Sequence, residues 1–387
     1  MGIVLDTLRG IAIAITNPYL ILLVFFIGLR FHRRNKKTIM LQKMIIGQEV
    51  DNSIELTFSQ ICIGIIGGTI GSIFLNSLEV SFQDRTVIYV MFLLSILLMY
   101  IKPKFICFSY SGCILGLILL GLNYIGITDF SIGSLILLIG VMHLIEGILV
   151  MINGSHGAIP VFTNKGDRVI GGFALNRYWT VPIAFLQFMP FYSIIGYNNV
   201  TFSKTKKEKA IISGLLIFIY GILVCCLGIL SNKNYILSVI SIILVPILHE
   251  GMLIIDNFIE LCGNPLFISD GDGLKVLEVA PDSQAFHMGI ESGDVLMEIN
   301  NTIINSEKET FEYIRGLQNF IWVKIKKASG EIKEISYDKF INSKRLGLVL
   351  VPRYIKKEDE IIKLSGEKKS FKNILEDVRR EQGEKKK

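Results

Sequence analysis

The stretch "HEGML" at 249–253 holds the residue pair with the clearest capacity for chemistry, His249-Glu250. A zinc hydrolase of this type needs two imidazoles four residues apart on one helix face, with a glutamate after the first as general base. Leu253 stands where the second imidazole is required and cannot bind a metal. His143 and Glu146, three residues apart, share a helix face. A His143/Glu146/His249 site is therefore geometrically conceivable, but no spacing in the sequence supports it. The other histidines fall beside an apolar run (His32), in a loop (His156) and in a short C-terminal helix (His287). Ionisable groups at membrane depth cost about 2.5–3.5 kcal/mol each, so they have a partner or a function. The larger expectation is that His143, Glu146, His249 and Glu250 make polar contacts that lock helices together, with neutral imidazoles, no catalytic residue, no metal and no cofactor. A third reading, transport through buried carboxylates, lacks a visible internal repeat.

The elements that must position these groups are membrane helices. The chain has 387 residues, 51% of them hydrophobic, and a mean hydropathy of +0.52, above the apolar share of an ordinary soluble domain. Charge is sparse up to about Asp256 and recurs every few residues from Asp270 onward. The expected organisation is a multi-span α-helical membrane domain (1–258), a small soluble α+β domain (262–353) and a charged tail (354–387). Counting about 20 apolar residues per crossing, candidate spans lie near 11–30, 58–77, 86–101, 105–126, 130–151, 178–198, 209–230 and 235–255. That gives seven or eight crossings, the third short and the last broken by Pro246. The basic flank "LRFHRRNKK" marks the first span as retained rather than cleaved.

Basic residues in short loops set orientation. Arg30, Arg33, Arg34, Lys36, Lys37 and Lys43, then Lys102 and Lys104, then Lys165, Arg168 and Arg177 place alternate loops in the cytoplasm and the N-terminus outside. Lys204, Lys206, Lys207 and Lys209 in "SKTKKEK" contradict that alternation. The net charge of +6 sits largely beside a span and calls for no nucleic acid. Six cysteines (Cys62, Cys107, Cys113, Cys225, Cys226, Cys262) read as small apolar packing residues, not disulfides or zinc ligands. The stretch "GIIGGTIGS" (64–72) lacks the Lys-Ser/Thr of a phosphate loop and predicts close helix packing through Gly67, Gly68 and Gly71. No chemistry attaches to the Gly-rich "NGSHGAIPVF" (153–162).

In the soluble region, "GLKVLEV" (273–279), "VLMEI" (295–299), "NFIWVKIKK", "GEIKEISY" and "RLGLVLVP" predict strands. Asp282 or Ser283 caps a short helix closed by Gly289, Gly293-Asp294 turns the chain, and "SEKETFEYIRGL" predicts an amphipathic helix. Together these describe a partly open β-barrel with two helices. The tail "SFKNILEDVRREQGEKKK" could form a further helix.

"APDSQAFHMGIESGDVLMEINN" resembles the bacterial PDZ pattern, with Ser283, Ala285, Gly289, Gly293, Asp294 and Asn300 at its turn-forming and packing positions and Asn301 where glycine is usual. The resemblance implies binding of a partner peptide as an added strand. "LFISDGDGLKV" and "RLGLVLV" are both candidates to receive it. Leu346, Gly347, Leu348 and Val349 are favoured, against the alternative that they form an interior strand. Together with "NPYLILLVFFIGLRFHRRNKK", "MHLIEGILVMINGSHGAIPVF", "YWTVPI" and "VPILHEGMLIIDNFIE", the architecture is similar to the polytopic PDZ proteins of the MinJ family, division-site topology determinants of Gram-positive rods. That resemblance implies a non-enzymatic scaffold in the cell membrane at division septa and poles, with its PDZ domain cytoplasmic. It would link a polar curvature-sensing protein to Min-system or divisome components. The runner-up is an intramembrane metalloprotease relative, active or degenerate.

Overall fold

The computed structural model describes residues 2–48, 50–82, 84–186, 190–315, 320–338 and 346–354. The tail helix expected around Ser370–Val378 lies outside them. From the N-terminus run α1 (Gly2–Thr16), α2 (Pro18–Ile46), α3 (Ser53–Ser77), α4 (Thr86–Ile101), a 3-10 turn (Pro103–Ile106), α5 (Phe108–Tyr124) and α6 (Ile132–Asn153). Three strands follow, β1 (Ile159–Lys165), β2 (Arg168–Ile183) and β3 (Phe191–Thr201), then α7 (Lys206–Ser231) and α8 (Tyr235–Cys262). The C-terminal unit comprises β4 (Phe267–Ile268), β5 (Leu274–Val279), α9 (Gln284–His287), β6 (Val295–Ile299), β7 (Thr302–Ile303), α10 (Glu307–Arg315), β8 (Ile321–Lys326), β9 (Ile332–Tyr337) and β10 (Leu348–Leu350).

Among the described residues, four helices are long and apolar enough to cross a membrane: α3, α6, α7 and α8. The pair α1 and α2, bent by 66° at Asn17-Pro18, makes a fifth if it is one span. The expected seven or eight crossings are therefore corrected to four or five. The helices at 86–101 and 108–124 have 16 and 17 residues, roughly 24–26 Å at 1.5 Å per residue, short of the hydrocarbon thickness. The apolar run at 178–198 is not a helix, because β2 and β3 pair antiparallel from Ile183↔Phe191 to Phe173↔Thr201. Its signals were the β-branched and aromatic residues of "RYWTVPI". Both faces of β2 are buried along nearly its whole length, and such a strand gives a continuous apolar run that hydropathy cannot tell from a helix. Pro246 does not break α8, which is 28 residues long and contains it.

The helices pack in alternating directions. Gly71 of α3 faces Val141 and Ile145 of α6; Gly140 and Gly147 of α6 face Gly221 and Gly214 of α7; Lys209 and Tyr220 of α7 bond to Asp256 and Val245 of α8. Because α3 and α6 run antiparallel, the segment between them begins and ends on the same side, so α4 and α5 enter and return. Gly112 and Gly116 of α5 lie against Ile139 and Leu135 of α6, so that helical hairpin reaches only about the middle of α6. The β2–β3 hairpin meets it from the other direction, with Phe191 packed edge-on to Phe92, and Phe92 edge-on to Phe108.

The glycine stripe of α3 serves two partners. Gly67 and Gly71 admit α6 as expected, whereas Gly64 and Gly68 admit a strand: a Cβ there would strike the carbonyl oxygens of Thr180 and Pro182. Inside this wall, Asn153 Oδ1 accepts from Arg177 and from Trp179 Nε1 (3.1 Å), and Arg177 also donates to Ser59 Oγ (2.7 Å).

The C-terminal sheet has the order β10-β5-β6-β8-β9, with β7 beside β6. Leu346, Leu348 and Leu350 point into its core, whereas Val349, Val351 and Leu277 join the core that contains Phe173 and Phe267. β4 pairs with β2, and Lys206–Glu278 (2.7 Å) and Arg168–Asp270 (3.0 Å) bridge the halves. The unit is docked on the β2 sheet. Replacing Gly68 by leucine should force α3 off β2 and cost about 1–3 kcal/mol, seen as a lower unfolding midpoint in detergent. Gly121→Ala, where nothing lies within 4 Å of the new Cβ, should leave the midpoint unchanged.

Candidate functional site

The tip of the α4–α5 hairpin places Cys107 between two buried imidazoles. Cys107 Sγ lies 3.1 Å from His143 Nε2, half-way along α6, and within 4.8 Å of a ring nitrogen of His249 on α8. One ligand atom from each of Cys107, His143 and His249 falls within 4.8 Å of the others. His143 and His249 are 3% and 6% exposed, so neither ring is available to bulk water. The two rings are 5.7 Å apart, and Tyr220 stands edge-on to both.

Each imidazole has its Nδ1 engaged. His143 Nδ1 is 2.8 Å from the Ile139 carbonyl, one turn earlier in α6, so it carries the proton and leaves Nε2 with its lone pair toward Cys107. His249 Nδ1 lies 3.1 Å from Tyr110 OH, which donates to Glu250 Oε1 at 2.6 Å. Lys104, also from the hairpin tip, donates to the same Glu250 oxygen. Ser109 Oγ is 2.8 Å from Tyr220 OH, and Tyr220 OH also reaches the Val245 carbonyl, an acceptor in the turn before His249.

The four intramembrane residues anticipated from sequence thus occupy one neighbourhood, but chiefly through groups that sequence reading passed over. Glu250 is neutralised by Lys104 and capped by Tyr110. Glu146 Oε2 lies 3.8 Å from His143 Nε2 and is the carboxylate nearer the thiol side of that ring. Cys107, expected as a small apolar packing residue, also lies at hydrogen-bonding distance from His143. The available signal was its position after "KPKFI", a polar break between two apolar runs too short to cross. Thiolate, imidazole and carboxylate together can bind a transition metal or relay a proton.

In the C-terminal unit the anticipated turn residues have distinct local duties. Ser283 Oγ accepts from the Phe286 N–H at 3.1 Å and caps α9, Ala285 is fully buried, and Gly289 and Gly293 take φ of +72° and +96°. Asn300 and Asn301, both at positive φ, turn β6 into β7, and Asn300 Oδ1 accepts from the Trp322 N–H. Asp294, 1% exposed, accepts from the Glu291 and Ala328 N–H groups and from Lys327 Nζ at 3.0 Å. Gly347, at φ +76°, abuts Ser283 and Gln48, and Leu346, Leu348 and Val349 are buried.

Partial burial presses Lys327 toward neutrality, and bonds and charges from Asp294 and Glu291 outweigh it, raising its pKa above the usual lysine value. A group raised on folding contributes stability below its unfolded pKa and loses it as pH climbs through the folded one. Asp294→Ala should therefore destabilise the C-terminal sheet by about 3 kcal/mol at neutral pH, measured by protease resistance in urea. The part due to Lys327 should fade only above about pH 10.4. Comparison of the chain with protein-family models, with curated proteins and with solved structures finds no match.

Proposed function

We propose that this chain is a membrane-anchored scaffold whose C-terminal unit is a PDZ domain, recruiting partner proteins in placement of the division site. The observation that carries the reading is the terminal place of β10 in its sheet. Among the described residues its strand neighbour is β5 alone, and Gly347 enters it in a left-handed turn. A strand with one free side is what peptide addition needs. The partners that the MinJ resemblance suggests are a polar curvature-sensing protein and Min-system or divisome components, at septa and poles.

Four antiparallel crossings support a cytoplasmic position for this unit. With α4–α5 returning and 178–198 folded as sheet, the C-terminal part of α2 and the turns at 165–168 and 204–207 share a side with the C-terminal unit. Arg30, Arg33, Arg34, Lys36, Lys37, Lys43, Lys165, Arg168, Lys204, Lys206 and Lys207 are then together, against Arg9, Arg85 and Lys233 toward the opposite side. That asymmetry has the sense expected of a cytoplasmic face, and "SKTKKEK" no longer conflicts with it. Anchoring in two dimensions raises effective concentration, so a modest peptide affinity suffices.

A fluorescent fusion of the full chain should concentrate at septa and poles. Gly347→Glu should leave membrane insertion intact but reduce septal enrichment and partner co-purification by about 100-fold, the lower end of the gain that avidity provides. Unchanged enrichment in that variant would mean that the helices alone do the recruiting.

A further inference from the structure

We propose that Cys107, His143 and His249 form a binding site for a zinc-type divalent ion at the meeting point of the α4–α5 hairpin, α6 and α8. Three observations carry this. The first is the donor set: one thiol and two imidazoles favour zinc over the oxygen-seeking ions magnesium and calcium. The second is spacing. Zinc–sulfur and zinc–nitrogen bonds of about 2.3 and 2.0–2.1 Å in a tetrahedron put neighbouring ligand atoms about 3.3–3.6 Å apart. The Cys107–His143 pair at 3.1 Å is already close to that, and all three ligand atoms fall within 4.8 Å. Small side-chain rotations close the remainder.

The third observation is the outer shell. Metal-binding imidazoles hold their second nitrogen on a carbonyl, carboxylate or hydroxyl group, which fixes the ring and its tautomer. Both rings here are so held, His143 by the Ile139 carbonyl and His249 by Tyr110, itself tied to Glu250 and through it to Lys104. Glu146 Oε2, 3.8 Å from His143 Nε2, lies beside the three ligands and is placed to accept from a water on the ion's open position. The thiol proton leaves when the ion binds, so affinity falls as pH falls. The ion would pin the tip of a hairpin that does not itself cross the bilayer.

The test uses the full chain purified in detergent from zinc-replete cells. Elemental analysis after a weak-chelator wash should find about one zinc per chain. Replacement by Co2+ should give thiolate-to-cobalt charge-transfer absorption. Cys107→Ser should abolish that absorption and most of the zinc, whereas His32→Gln, outside the cluster, should preserve both. Because Cys107→Ser could unfold the hairpin, Tyr110→Phe provides an independent arm. It keeps every ligand, removes the hydroxyl that holds His249, and should weaken zinc binding about 10–100-fold with unchanged gel-filtration behaviour. Metal-free wild-type protein with no cobalt absorption on titration would overturn the site. So would zinc retained equally in Cys107→Ser and His143→Gln.

Discussion

The fold rests on one constraint: backbone N–H and C=O groups at membrane depth find no partner in lipid, so any strand there must be enclosed by protein. The β2–β3 hairpin obeys it from both directions. β2 is bonded to β1 and β4 over its first half and to β3 from Phe173 to Ile183, and its faces are covered by α3 and by the docked C-terminal unit. The covering is possible because Gly64 and Gly68 remove the side chains that would hold α3 away from Thr180 and Pro182. Arg177, buried beside Asn153 and Ser59, sits within the same enclosure.

Enclosing a hairpin has a consequence for the other side of the molecule. The α4–α5 hairpin lies along the N-terminal half of α6, while the β2–β3 turn runs past it to the C-terminal end of α3, where Ala184 bonds to Ser72 and Asn76 and Phe185 packs on Phe82. The two meet where Phe92, Phe108 and Phe191 interlock. Polar groups carried to that junction by Cys107, His143 and His249 must satisfy one another or hold an ion. Separately, Lys209 and Asp256, 3.0 Å apart and buried, join α7 to α8 below it. This removes Lys209 from the solvent-facing basic cluster to which the sequence appeared to assign it.

What was legible in the sequence follows from how local each signal is. The C-terminal strands and turns were readable because left-handed positions such as Gly289, Gly293 and Asn300 are fixed by their own residue types. Helices α3, α6, α7 and α8 were readable by length and apolarity. The span count was not, because a strand buried on both faces and a half-depth hairpin give the same hydropathy as a crossing helix. Only pairing partners far along the chain, such as Gly64 with Thr180, distinguish them. His143, Glu146 and His249 could be grouped by face and depth, whereas Cys107 could not. Its role depends on a 3-10 turn that brings it level with the middle of α6.

The arrangement of sides is the claim on which the functional reading and the placement of the C-terminal unit both turn. Protease accessibility of epitope tags inserted after Gly166, Lys204 and Lys233, compared in right-side-out and inside-out vesicles, tests it most directly. Tags after Gly166 and Lys204 should be cut together from the face bearing the C-terminal unit, and the tag after Lys233 only from the other face. If those after Gly166 and Lys204 are cut from opposite faces, residues 178–198 cross the membrane and the enclosed hairpin does not exist.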